Sequence, residues 1–287
     1  MPGLDPFREK MLRGEVCFGT AITFTDPTIT ELLADDLDFV WIDAEHNALS
    51  LESIQLHLMA VKGTQAFPVV RVAWNDPVLL KPVLDIGAPG VVVPLIRTAD
   101  DAALAVAACR YPPKGIRGFG PRRASRYGRD SGPEYCAAAD ASIMVNVQIE
   151  HAEAVKNLDA ILATEGLSGI VIGPNDLAGS MGHPGRPDHP EVQKSIDTVI
   201  ARARAAKKFV GVGASAEPGE LADWARRGVQ WLMVGADFAL LRKGTVQTIA
   251  ATRANVQQMA TGSLSRDNFW KQCYLEPPDA FQSQPKP

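Results

Sequence analysis

Short apolar runs alternate with longer amphipathic segments along almost the whole chain. Eight of the runs have the length and the β-branched content that are typical of buried parallel strands. They lie at Val16–Ala21, Phe39–Ile42, Pro68–Val72, Gly90–Leu95, Ile143–Ile149, Gly169–Ile172, Phe209–Gly213 and Trp231–Val234. Segments such as SLESIQLHLMAVK and DDAALAVAACR stand between them and have the apolar spacing of helices. Eight strand–helix units in roughly 250 residues predict a (β/α)8 TIM barrel.

Two further features bear on the organisation of the chain. A doubly wound sheet would also alternate strands and helices, but no GxGxxG motif follows a predicted strand, which favours the barrel. Residues 111–135 are rich in Gly, Pro and Arg and predict a long loop, whose arginines either contact a substrate or another subunit or lie in solvent. The end of the chain is polar. We therefore predict a catalytic barrel over 1–256 and a peripheral or partly disordered extension over 257–287.

Composition and charge narrow the class of protein. The net charge of −4 and the isoelectric point near 5.8 argue against nucleic-acid binding, which needs a basic surface. The first residues are polar rather than a signal peptide, and no apolar run approaches the roughly 18 residues of a membrane helix. The four cysteines have neither metal-site nor disulfide spacing. We expect a cytoplasmic protein with reduced thiols and with neither nucleic-acid nor membrane partners.

Polar residues gather at the ends of the predicted strands, where the active sites of TIM barrels lie. The second strand runs into two carboxylates and an imidazole, and the third carries an arginine in an otherwise apolar run. A buried arginine needs an anion nearby. The fifth and sixth strands end in further acidic and amide side chains. The residues at these ends are Asp43, Glu45, His46, Arg71, Gln148, Glu150, Gly173, Pro174, Asn175 and Asp176.

Glu150 and Asp176 are the candidate metal ligands. They are 26 residues apart, close to one βαβ unit, so both carboxylates should stand at the same level on neighbouring strands. Two carboxylates suit a hard divalent cation such as Mg²⁺ or Mn²⁺ and leave coordination positions for water and substrate. The alternative is that each carboxylate caps the helix that follows it. No organic cofactor is indicated.

These residues together indicate enolate chemistry on a 2-oxo acid, because a cation that chelates the acid makes its C3 proton acidic. Arg71 would stabilise the enolate oxygen. Histidine titrates near neutrality, so His46 is the candidate base or proton shuttle, with a structural role as the alternative. No lysine falls at a predicted strand end, so a Schiff-base mechanism lacks a nucleophile. The other histidines, His57, His151, His183 and His189, receive no role.

Seven motifs in order along the chain carry a resemblance to a known family. They are WIDAEHNAL, PVVRVAWNDP, VLDIGAPGVVVPLI, RYPPKGIRGFG, RASRYG, VQIE and GPNDLAGSMG. Over residues 15–255 the chain resembles the HpcH/HpaI family of class II pyruvate aldolases, which includes 4-hydroxy-2-oxoheptanedioate and 2-dehydro-3-deoxy-sugar-acid aldolases. The resemblance implies a carbon–carbon lyase that reversibly cleaves 4-hydroxy-2-oxo acids into pyruvate and an aldehyde.

The resemblance also implies roles for individual residues. Glu150 and Asp176 would hold the cation, which would be Mg²⁺, Mn²⁺ or Co²⁺. His46 would transfer protons, Arg71 would stabilise the enolate, and Asp85 would raise the basicity of the histidine. The implied substrate contacts are Gln148 and Asn175. From its position at a strand end, Pro174 is predicted to join these contacts, and Asp43 is predicted to join the catalytic group, where it either orients the site or binds a polar substrate group.

The resemblance further implies an assembly. The family fold is a TIM barrel of the phosphoenolpyruvate/pyruvate-domain type, whose last helix swaps between subunits, commonly in a homohexamer built as a trimer of dimers. Two stretches depart from the family pattern. Asn47-Ala48 stands where many members have Ala-Pro, and the seventh strand ends in small residues, as GVGASAE. Both departures concern the aldehyde pocket, so the sequence does not identify the aldehyde.

Three alternative functions stay open on the sequence. An oxaloacetate decarboxylase would use the same enolate without an aldehyde. A CoA-ester lyase of the citrate-lyase β-subunit kind would share the barrel, although no nucleotide site is evident. A barrel without catalytic activity would serve as a ligand-binding or scaffold subunit, and the complete set of polar strand-end residues argues against it.

Overall fold

The protein folds into a closed barrel of eight parallel strands, seen in a computed structural model that describes residues 5–215 and 217–261. Each strand pairs with its neighbours in chain order, and the last strand closes on the first. All eight lie within two residues of their predicted bounds, so the predicted TIM barrel is confirmed. The strands are β1 (Cys17–Ile22), β2 (Phe39–Asp43), β3 (Phe67–Arg71), β4 (Gly90–Val93), β5 (Met144–Ile149), β6 (Gly169–Ile172), β7 (Phe209–Ser215) and β8 (Trp231–Ala236).

Helices follow the strands and connect them. They are α1 (Pro6–Leu12), α2 (Thr28–Ala34), α3 (Leu51–Ala60), α4 (Pro77–Asp85), α5 (Ala99–Ala108), α6 (Gly132–Ser142), α7 (Ala152–Lys156), α8 (Leu158–Leu162), α9 (Pro174–Ser180), α10 (Pro190–Ala205), α11 (Pro218–Arg227) and α12 (Asp237–Ala260). The chain divides into two compact units after Phe238, and most of α12 belongs to the second. The predicted boundary after residue 256 stays a prediction, and the predicted extension lies largely outside the described residues.

Local sequence explains where several helices begin. The side chains of Ser50 and Asp76 accept backbone N–H groups in the first turns of α3 and α4, as their positions before the helices predict. The start of α2 lacks such a side-chain cap. Pro27 is the N-cap rather than the first helical residue, because Asp26 accepts the N–H of Thr28 in a turn of its own. The predicted loop over 111–135 is also shorter, since α6 begins within it.

The barrel interior is apolar at its floor and polar at its top. Side chains alternate along a strand, so β2 turns Phe39 and Trp41 into a cluster that also holds Val69 of β3 and Trp231 of β8. The intervening residues pack against the helices. Because the same alternation continues upward, Asp43 follows Trp41 on the inner face. The chemistry therefore sits above a packed floor rather than in an open channel.

None of the helices in the described part of the chain is long and apolar enough to cross a membrane.

Candidate active site

Asp43 and Arg71 stand directly opposite each other at the carboxyl ends of β2 and β3. The Nε and Nη2 groups of Arg71 donate to the two carboxylate oxygens of Asp43, each at 2.8 Å. The Nη1 atom of Arg71 lies 2.8 Å from Oε2 of Glu45. Arg71 is only 9% exposed, so these two carboxylates supply the anions that the sequence required of a buried arginine.

Both carboxylate oxygens of Asp43 accept hydrogen bonds from neighbouring groups. Besides Arg71, Asp43 accepts the backbone N–H of Glu45 at 3.1 Å and the side-chain amide of Asn47 at 2.7 Å. Asn47 is one of the departures from the family pattern, and the structure gives it a partner inside the site. With four donors on two oxygens, Asp43 is placed to orient Arg71 rather than to move a proton.

The charge of Arg71 is secured by its surroundings. Burial alone would lower its pKa, but the carboxylates of Asp43, Glu45 and Glu150 outweigh that effect and raise the pKa. The guanidinium also lies 5.3 Å from the ring centroid of Trp41. Asp43 accepts two of the five N–H groups of the guanidinium, whereas the contact of Nη1 with Glu45 is an ion pair without hydrogen-bond geometry.

Glu150 is a carboxylate buried to 3% exposure just beyond the end of β5. One oxygen accepts the backbone N–H of Leu95 at 2.7 Å, and the other accepts the side-chain amide of Gln148. Leu95 has a φ of 56°, a left-handed conformation that is costly for leucine and that aims its N–H at this oxygen. The alternative that Glu150 caps the next helix is wrong, because His151 is the N-cap of α7.

The pKa of Glu150 is raised to about 7, first by burial and further by the nearby carboxylates of Glu45 and Asp176. The N–H of Leu95 and the charge of Arg71 oppose this rise without cancelling it. Burial likewise raises the pKa of Glu45, to which Asp176 also contributes. Three acidic groups therefore interact, and two of them, Glu45 and Glu150, are shielded from solvent. Such an arrangement favours either protonation or a bound cation.

Asp176 lies in the first turn of α9, the helix that follows β6. Asp176 is exposed, and its side chain makes no hydrogen bond to another described residue. Pro174 is the buried first residue of this helix, and Asn175 is exposed beside Asp176. The side-chain oxygen of Gln148 is buried without a hydrogen-bond partner among the described residues. Of these groups, Gln148 donates to Glu150, and Asp176 is near enough to raise the pKa of Glu150.

Gly173 allows these elements to approach closely. A Cβ atom built on Gly173 would lie 2.7 Å from Cβ and 2.8 Å from Oε2 of Glu150, and 3.0 Å from the amide nitrogen of Gln148. No real side chain tolerates the first two distances. The sequence placed Gly173 at a strand end but did not reveal this constraint. The conformation of Leu95 also carried no sequence signal, since leucine rarely adopts it.

His46 lies at the rim of the same region. Its Nε2 atom is 3.7 Å from Oε2 of Glu45, and its side chain is 63% exposed. Glu45 therefore stands between Arg71 and His46. The exposure of His46 leaves its ring accessible to substrate and water.

Asp85 is placed differently from the other predicted residues. It ends α4, and its carboxylate accepts a hydrogen bond at 2.8 Å from Nη2 of Arg117, whose side chain is 4% exposed. Arg117 also stacks over Tyr111, with 4.5 Å from its central carbon to the ring centroid. Arg117 belongs to the Arg-rich loop, so a purely solvated loop is the wrong description for this residue. The implied effect of Asp85 on His46 stays a prediction.

Comparison with known proteins identifies the family. The pattern of the HpcH/HpaI aldolase/citrate lyase family matches residues 24–243. The chain is 41% identical over 254 residues to the 5-keto-4-deoxy-D-glucarate aldolase of Salmonella arizonae, covering 86% of this chain and 96% of that protein. It is 40% identical over 263 residues to the 4-hydroxy-2-oxo-heptane-1,7-dioate aldolase of Salmonella paratyphi C, covering 90% of this chain and 98% of the relative.

A solved structure agrees with the sequence comparison. The HpcH/HpaI aldolase/citrate lyase family protein of Burkholderia cenocepacia superimposes with a TM-score of 0.80 at 33% identity, covering 84% of this chain and 95% of that one. Relatives that are named as aldolases share 40–41% identity with this chain over most of their length. This protein is therefore a carbon–carbon lyase. The chain belongs to the HpcH/HpaI aldolase/citrate lyase family.

Proposed function

We propose that this lyase cleaves 4-hydroxy-2-oxo acids into pyruvate and an aldehyde, with a divalent cation held by Glu150 and Asp176. The observation that carries the proposal is the crowding of Glu150, a carboxylate buried among two further acidic groups. Leu95 and Gln148 satisfy its oxygens only in part, and Arg71 is already committed to Asp43 and Glu45. A bound cation removes the resulting electrostatic cost.

The donor set fits a hard cation. Carboxylate oxygens suit Mg²⁺, Mn²⁺ or Co²⁺ in octahedral coordination, and membership of this family of aldolases accords with dependence on a divalent cation. Glu150 beyond β5 and Asp176 in the first turn of α9 would hold the cation. When bound, the cation supplies Lewis acidity towards the keto and carboxylate oxygens of the 2-oxo acid. We propose Mg²⁺, Mn²⁺ and Co²⁺ as the competent cations.

The side chains of this protein would do the remaining work. Arg71, fixed by Asp43, would direct its free N–H groups at the C2 oxygen of the substrate, where negative charge develops. Gln148, Pro174 and Asn175 would contact the 2-oxo acid beside it. His46, accessible at the rim, would take the proton of the C4 hydroxyl group, directly or through a water molecule.

The bonds change in a simple order. As the C4 hydroxyl proton leaves, its O–H electrons form the carbonyl of the aldehyde, and the C3–C4 bond breaks. The C3–C4 electrons form the C2–C3 double bond of the pyruvate enolate, whose oxygen faces Arg71. A proton returned to C3 then yields pyruvate. The reverse sequence joins pyruvate and an aldehyde.

The relatives suggest which acids to test. Their names specify 5-keto-4-deoxy-D-glucarate and 4-hydroxy-2-oxo-heptane-1,7-dioate, both of which carry a second carboxylate. We propose a substrate of this diacid type. The homohexamer with a swapped last helix is implied by the family resemblance alone and stays a prediction, which sedimentation velocity of the full chain would test.

The metal and the chemistry can be tested separately. Electron paramagnetic resonance should show Mn²⁺ bound to the wild type, and Glu150→Gln and Asp176→Asn should each lose that signal, whereas Asp159→Asn on the exposed face of α8 should keep it. NMR should then show deuterium exchange into the methyl group of pyruvate that stops with EDTA and returns with Mn²⁺.

Two results would contradict the proposal. Undiminished exchange in chelated protein would exclude the cation, and a stable borohydride adduct with pyruvate would indicate imine chemistry instead.

A further inference from the structure

A second cluster of possible ligands lies between α9 and α10, in the connection 181–189. The rings of His183 and His189 stack there with their centroids 3.5 Å apart and their planes at 15°. Nε2 of His183 lies 3.1 Å from Oε2 of Glu191, in the first turn of α10. One ligand atom from each of these three residues falls within 4.8 Å of the others. The two histidines flank a loop rich in Pro and Gly, and their positions in the chain alone predict no role for them.

The connection that presents these side chains is held by its own hydrogen bonds. The N–H of His183 donates to the carbonyl of Ala178 at 2.8 Å, which ties the loop to the last turns of α9. The side-chain amide of Gln193 donates to the carbonyl of Pro187 at 2.6 Å, which ties it to α10. Gly182 adopts a φ of 86°, which turns the chain between the two helices. The loop therefore holds the three side chains close together, and the stacked rings must turn before both imidazoles direct a lone pair at one cation.

We propose that His183, His189 and Glu191 bind one divalent transition-metal cation of the Zn²⁺ type. Two imidazoles and one carboxylate are a usual ligand set for such cations, and one water molecule would complete a tetrahedron. Bond lengths of about 2.1 Å set neighbouring ligand atoms roughly 3.4 Å apart in a tetrahedral site. The separation of 3.1 Å between His183 and Glu191 already approaches this value. Hard Mg²⁺ would not compete well for imidazoles.

Solvent access and the loss of an existing hydrogen bond both determine the expected affinity for the cation. The side chains of His183 and Glu191 are 25% and 72% exposed, so a cation reaches them from solvent. Nδ1 of His189 accepts the N–H of Glu191 at 3.3 Å and so caps α10. A cation must displace this long hydrogen bond or bind the other ring nitrogen after a change of tautomer. The site therefore binds more weakly than a closed structural zinc site. Once occupied, it clamps the end of α9 to the start of α10.

The test measures how many Zn²⁺ ions the full-length protein binds, and how tightly. Isothermal titration with Zn²⁺ is run in excess Mg²⁺, for the wild type, His183→Gln, His189→Asn and the double variant Glu150→Gln/Asp176→Asn. His189→Asn tests the ligand without removing the cap of α10, because asparagine also caps helices but lacks the second ring nitrogen. Zinc absorption-edge diffraction on soaked crystals then locates each ion.

We expect the double variant to keep one Zn²⁺ equivalent, since the proposed cluster does not include Glu150 or Asp176. His183→Gln and His189→Asn should each weaken that site by at least about 100-fold, more than the ~10–100-fold loss that follows removal of a hydrogen-bonding partner of a ligand. Their thermal stability without zinc should match that of the wild type. The proposal is overturned if the double variant binds no Zn²⁺, or if His189→Asn binds it as tightly as the wild type.

Discussion

Gly173 and Glu150 approach so closely that a Cβ atom on the glycine would lie 2.7 Å from that of the glutamate. This contact links the end of β6 to the carboxylate that we propose as a metal ligand. The space for the carboxylate exists only because residue 173 has no side chain. The position of Glu150, and with it the affinity for the cation, should therefore depend on this glycine.

Gly173→Ala should weaken Mn²⁺ binding by at least ~10-fold, because the added methyl group displaces Glu150. Electron paramagnetic resonance measures the bound fraction. Gly179→Ala is the matched control, since Gly179 lies in α9 with no atom within 4 Å of an added Cβ. That variant should bind Mn²⁺ normally and gain up to about 1 kcal/mol in free energy of unfolding. Normal Mn²⁺ affinity in Gly173→Ala would refute the link.

Arg71→Lys should lower kcat by about 100–1000-fold while leaving Mn²⁺ affinity within a few-fold of the wild type. Lysine keeps the charge but cannot match the two oxygens of Asp43 and reach Glu45 as well, so its ammonium group loses its orientation. Steady-state cleavage assays give kcat. Arg202→Lys changes an exposed arginine that is paired with Asp159, and it should leave kcat unchanged. A fully active Arg71→Lys enzyme would remove the orienting role of the guanidinium.

Asp85→Asn should destabilise the fold by about 3 kcal/mol, because it leaves the buried guanidinium of Arg117 without an anion. Urea denaturation measures the free energy of unfolding. The double variant Asp85→Asn/Arg117→Met should recover most of the loss, whereas Asp188→Asn, at an exposed ion pair with Arg186, should change stability little. A stability of Asp85→Asn equal to that of the wild type would show that this ion pair contributes nothing.

The same variant tests the role that the family resemblance gives to Asp85. If Asp85 acts on His46, the pH profile of kcat should move in Asp85→Asn. It should stay unchanged in a variant of equal stability loss elsewhere in the barrel, such as Leu162→Ala. An unchanged profile in both variants would leave Asp85 with its structural ion pair alone.

Acidification should weaken the fold through His57, whose pKa is lowered mainly by burial. Its ring lies 2.8 Å from the hydroxyl of Thr30 and 3.0 Å from the carbonyl of Phe24. The carbonyl of Phe24, followed by the carboxylates of Asp237 and Asp26, only partly opposes the shift. The unfolded chain takes up a proton near pH 6.5, before the folded protein does. Stability from the neutral ring is therefore present above that pH and is lost as the pH falls towards the folded pKa, by at most about 1.4 kcal/mol per unit.

Thermal unfolding from pH 8 to 5 should show this loss in the wild type and a smaller one in His57→Gln, which cannot titrate. The difference between the wild type and His57→Gln removes the contribution of the acidic groups near Glu150, which both proteins share. Parallel curves for the two proteins would mean that His57 does not contribute to the pH dependence.

The sequence by itself determined the barrel and most of the residues at its top. Eight apolar runs of strand length, separated by helical segments, allow few arrangements, because parallel strands need crossover connections. Since such strands bring their carboxyl ends to one face, the positions of Asp43, Arg71, Glu150 and Asp176 in the chain were sufficient to predict that they meet there.

Tertiary structure alone decided how those residues are held. The pairing of Arg71 with both Asp43 and Glu45 depends on the register between β2 and β3 and on a turn after β2. The N–H of Leu95 reaches Glu150 from another strand through a backbone conformation that leucine seldom adopts, and Gly173 matters only through what it would touch. His183, His189 and Glu191 meet because one loop folds back on itself. Distances of this kind arise from packing between elements, and no periodicity along the chain encodes them.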